Sequence, residues 1–167
     1  CLEFYMEVMT KDEIKSFLML GGGRNNILQC AAKSVNFYAL KILVDLVERE
    51  CGIDELKKML SEESLPLHLA FEKYAMNRKT ITSKDIEYLF AIYEKYFSSA
   101  EIGKFLKLKF SDHLDENAYI FELTKDEEIL QFLSEKAKIY SKFTYFLIEI
   151  TRLIKSEGLS YDYFIKL

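Results

Sequence analysis

Apolar residues recur along most of the chain at the three- and four-residue intervals that place them on one face of a helix. Leu2, Tyr5, Met6 and Met9 form such a stripe, and Thr10-Lys11-Asp12-Glu13 has the Ser/Thr-x-x-Glu form of a capping box opening the next helix, Asp12 to Leu18. Ile53, Leu56, Met59 and Leu60 keep the same spacing behind Asp54 and Glu55, whose charges favour a helix N-terminus, while Gly52 stops the helix before them. Ser83 is read as the cap of a helix with Ile86, Leu89, Phe90, Tyr93, Tyr96 and Phe97 facing the core. Ser98-Ser99-Ala100-Glu101 is a second capping box, and Ile102, Phe105 and Leu106 carry its helix to about Lys109. Ser141 to Lys155 closes the pattern as a helix, with Phe143, Phe146, Leu147, Ile150, Leu153 and Ile154 expected on its buried face and Tyr145 and Ile148 widening the apolar arc. The prediction is an all-α chain.

One hexapeptide gives that pattern a repeat. Leu65-Pro66-Leu67-His68-Leu69-Ala70 resembles the T-P-L-H-x-A signature that opens the first helix of an ankyrin repeat. Pro66 suits a first helical turn, because its φ is fixed and it lacks an N–H. Leu67 and Ala70 stand three apart, the small Ala admitting a second helix, and His68 can brace the neighbouring connection with a ring nitrogen. Asn26-Ile27-Leu28-Gln29-Cys30-Ala31-Ala32 takes the same place without a gap, followed by Ala39-Leu40-Lys41-Ile42-Leu43-Val44 where the family has its outer helix. A worn copy runs from Asn117 to Leu123 and on through Ile129 to Leu133, with Glu122 where Ala belongs and the spacing one residue short.

The resemblance implies a stacked helix-turn-helix, ankyrin-like solenoid with shortened hairpins and inserted helices. Its approximate repeats are 1–22, 23–60, 61–109 and 110–139, with a C-terminal cap at 140–167, in a single domain over 1–167. Gly21 to Asn25 shortens the family's projecting hairpin to a turn, Ala75 to Thr82 reads as an inserted loop, and Phe110 to Glu116 as a polar connection. A start at Cys1 rather than Met is read as a piece cut from a longer protein.

Composition narrows the function classes. With 167 residues, 50% hydrophobic and 30% charged, the chain can bury a continuous core, and 11 Tyr and 13 Phe without any Trp put much of the packing on aromatic rings. A net charge of −4 with interspersed signs argues against nucleic acid, which would call for a basic stripe. The absence of an apolar run near 18 residues argues against membrane insertion. Cys1, Cys30 and Cys51 are odd in number and lack C-x-x-C spacing, so neither a disulfide framework nor a zinc knuckle is expected, and a reducing intracellular home, cytoplasmic or nuclear, fits.

Catalytic chemistry finds little footing. His68 occupies the family's structural position, and His113 with Asp112 and Asp115 has no zinc or calcium spacing. Gly21-Gly22-Gly23-Arg24 lacks the Gly-Lys-Ser/Thr ending of a phosphate loop and lies between helices. No catalytic residue, metal or cofactor is assigned, and the chain is read as non-enzymatic.

What remains is surface. In the family that the chain resembles, a row of inner-helix residues docks partners. Position by position, that row is Cys30, Lys33 and Ser34, then Leu69, Glu72 and Lys73, with Arg24 and Asn25 at the adjoining turn and Thr124 and Lys125 as weaker members. The leading expectation is a scaffold that binds a partner protein or peptide there. Its rival is a homodimer, or docking within a longer parent protein, through Tyr145, Ile148, Tyr161 and Phe164.

Overall fold

The computed structural model describes residues 8–20, 25–62, 65–75, 81–107 and 126–157, without the side chains of 71–75, 153, 154 and 157. Among them every regular element is a helix: α1 Lys11–Met19, α2 Ile27–Lys33, α3 Phe37–Cys51, α4 Ile53–Ser61, α5 Pro66–Ala75, α6 Ser83–Tyr96, α7 Ser99–Leu106, α8 Glu127–Tyr140 and α9 Lys142–Glu157. Two compact units are distinguished along the chain, Cys1–Lys73 and Tyr74–Leu167, with the division inside α5.

In the first unit, α1 packs on α3, and α2 on α3 and α4. The starts follow the sequence closely. Thr10 Oγ1 accepts from the Glu13 amide at 3.3 Å while the Glu13 carboxylate accepts from the Thr10 N–H at 2.7 Å, so two helix-end donors are satisfied reciprocally. α1 then buries only Ile14 and Leu18. Asn26 and Gln29 form the same kind of box at α2.

The α2–α3 connection is a Schellman turn. The Val35 N–H reaches the Ala32 carbonyl at 2.9 Å and the Asn36 N–H reaches that of Ala31 at 3.1 Å. The pivot of such a turn is normally Gly, yet here Val35 takes it with φ of 53°, so a β-branched side chain sits in the left-handed region. Asn36 then caps α3 through its side chain, at 3.0 Å from the Ala39 amide. At the other end Gly52 stops α3 with φ of 91° and its N–H on the Val47 and Glu48 carbonyls, and α4 starts at the next residue, as the spacing predicts. Leu56, Met59 and Leu60 are its buried side.

In the second unit, α6 and α7 pack on α8 and on each other, and α9 folds back along α8. Its core is aromatic as the composition suggests: Tyr93 stacks on Phe97, and Phe105 meets both rings edge-on. Phe132 of α8 meets Phe90 of α6 in the same way. All six expected core residues of α6 are buried. Its cap is Thr82, one residue before the expected Ser83, because Thr82 has an acidic partner three residues on: Asp85 returns a bond to the Thr82 N–H at 2.9 Å. The box at Ser98 and Glu101 opens α7 as predicted, and α7 ends at Leu106, short of Lys109.

α9 corrects the expected burial. Phe143 and Phe146, placed on the buried face by their spacing, are 53% and 61% exposed, whereas Ile148 is fully buried. The buried seam is Ser141, Thr144, Ile148 and Thr151. It faces a partner rich in small residues, since α8 turns Ser134 and Ala137 inward beside Leu130 and Leu133. The hydroxyls tolerate burial because they are bonded: Thr151 Oγ1 donates to the Leu147 carbonyl at 2.9 Å, Ser141 and Thr144 share a bond of 2.9 Å, and Ser134 donates to Glu149.

The stripe expected over residues 2–9, the Gly21–Arg24 turn, the polar connection with His113 and the copy at 117–123 lie outside the described residues, in whole or in the main.

Candidate docking surface

The row expected to receive a partner is open on α2 and closed at Leu69 of α5. Leu28, Gln29, Ala31 and Ala32 are buried, while Ile27, Cys30 and Lys33 are half-buried and Ser34, the C-cap, is exposed. Helix geometry sets Ile27, Cys30 and Lys33 on one side at three-residue steps, with Ser34 at their end, so α2 shows a single open stripe. Asn25 adjoins it: Cys30 Sγ lies 4.0 Å from the Asn25 carbonyl. Asn25, Cys30, Lys33 and Ser34 are therefore brought together.

Leu69 is not part of that surface. It is 5% exposed, and Leu65 through Ala70 are all buried, so the described side chains of α5 show no open stripe. The position that the repeat signature leaves outward is here filled by a large apolar residue, and burying it stabilises the unit more than exposing it would. His68 is buried too. Glu72 and Lys73 lie on α5 with undescribed side chains, and Arg24, Thr124 and Lys125 lie outside the described residues.

Of the rival self-association set, Ile148 is buried in its own unit and Tyr145 is half-buried. Tyr161 and Phe164 lie outside the described residues. Among the described side chains of α9, the large apolar groups exposed are Phe143 and Phe146.

Sequence reading missed the residue that holds α2 in place. Asn26 uses both ends of its amide: Oδ1 accepts from the Gln29 amide at 2.9 Å, and Nδ2 donates to the Met59 carbonyl at 2.8 Å and to the Glu62 carboxylate at 2.6 Å. The start of α2 is thereby tied to the end of α4. The Asn-x-x-Gln spacing held the cap, but nothing in the sequence announced the reach across more than thirty residues.

A polar cluster ties α6 to α8. Glu94 Oε1 accepts from Lys136 Nζ and, at 2.8 Å, from the Tyr140 hydroxyl, while Lys136 Nζ also lies 5.3 Å from the centre of the Phe132 ring. Burial opposes charge on Glu94, but the bonds from Lys136 and Tyr140 and the Lys136 charge outweigh it and hold the carboxyl below its ordinary value. Burial first, and Glu94 second, push the Tyr140 phenol up to about 12. A carboxylate already held by two donors is a clamp rather than a poised base.

Burial raises the Cys51 thiol, with Glu55 and Glu50 adding to it against Lys15, which works against thiolate chemistry there. Among the described residues no group of three or more His, Cys, Asp and Glu could hold a metal ion, and no helix is long and apolar enough to cross a membrane. No family model, no curated protein and no solved structure matches the chain.

Proposed function

We propose that the chain is a non-enzymatic docking scaffold of degenerate ankyrin-like construction, and that the open stripe of α2, with Asn25 beside it, receives a partner protein or peptide. The observation that carries this reading is the contrast within α2: four positions are sealed by packing, while the three that remain, Ile27, Cys30 and Lys33, follow one another at three-residue steps along one side, with the exposed C-cap Ser34 at their end. A stack of helix pairs would leave one inner-helix face open for binding, and Cys30, Lys33 and Ser34 are the positions that the resemblance would turn outward. The fixed start of α2, held by Asn26 to α4, supports the reading because a rigid platform loses little entropy on binding.

Lys33 gives the row its charge and favours a partner with an acidic group opposite it. The test is capture by the whole chain, followed by the same capture with Lys33→Glu. The scaffold reading expects a stoichiometric partner that is weakened by the charge reversal at unchanged melting temperature. Capture indifferent to Lys33→Glu and to substitution at Cys30 and Ser34 would remove it.

A further inference from the structure

We draw no further inference here: the strongest candidate, the exposed apolar patch of Ile139, Phe143 and Phe146 about the α8–α9 turn, carries nothing, because nothing in the structure shows what covers it.

Discussion

Gly103 of α7 is seated against the backbone carbonyl oxygen of Tyr140 at the end of α8, so close that a methyl group added there would collide with that oxygen. In an open helix Gly→Ala gains about 1 kcal/mol. Here the obstacle is backbone, which cannot swing aside, and the gain is reversed. Gly103→Ala should destabilise the chain by about 1–3 kcal/mol, read as a lowered denaturant midpoint. A neutral or raised midpoint would mean that α7 and α8 do not approach this closely.

Val35 points the opposite way. A non-glycine residue in the left-handed region costs about 1–2 kcal/mol, and the turn it occupies is one in which Gly is usual. Val35→Gly should therefore stabilise the first unit by about 1 kcal/mol, the half-buried side chain returning part of the gain when it is lost. Thermal unfolding of the two proteins side by side decides the sign.

Removing the Asn26 amide takes away a cap and two further bonds, and leaves the Met59 carbonyl without its donor. Asn26→Ala should cost about 2–3 kcal/mol. Hydrogen exchange should locate the loss at the start of α2 and the end of α4 together. Loss confined to α2 would limit Asn26 to a cap.

The Glu94 cluster predicts a pH profile. Glu94 titrates below its ordinary 4.5 in the folded chain, so its contribution is complete above that value and fades as pH falls through the lower, folded one. Tyr140 behaves as the mirror case: its contribution is complete below 10 and is lost as pH rises toward about 12. Glu94→Gln should flatten the acid limb of a stability curve measured from acid to alkali and, since burial is the larger cause of the Tyr140 shift, reduce the alkaline limb only in part. The cluster is partly exposed, so the loss at neutral pH should not exceed about 1 kcal/mol.

Much of the local structure was legible because helix starts are written in short code. Thr10 with Glu13 and Ser98 with Glu101 each needed only three-residue spacing, and Gly52 needed only its freedom at positive φ. Thr82 was displaced by one from Ser83 because two adjacent hydroxyl residues compete for a cap and the acid at Asp85 selects between them. The face of α9 was illegible for a different reason. It has large apolar residues on both sides, so periodicity alone cannot phase it, and the choice fell to the small residues of α8 against which Thr144 and Thr151 fit. The outward side of Cys30, Lys33 and Ser34 could be read position by position, while Ile27 beside them and the burial of Leu69 could not, the latter depending on what surrounds α5 rather than on the hexapeptide.

Cys30 offers the most direct test of the docking surface, because the row carries its own probe. It is a free, half-buried thiol in the middle of the stripe, and Cys51 is a second free thiol on α3 to serve as an internal reference. The measurement is the alkylation rate of each cysteine, by mass spectrometry of the digested chain, with and without the captured partner. Docking on the α2 stripe predicts that Cys30 is protected in the complex while Cys51 reacts as before; a Cys30 rate unchanged by a saturating partner would contradict it.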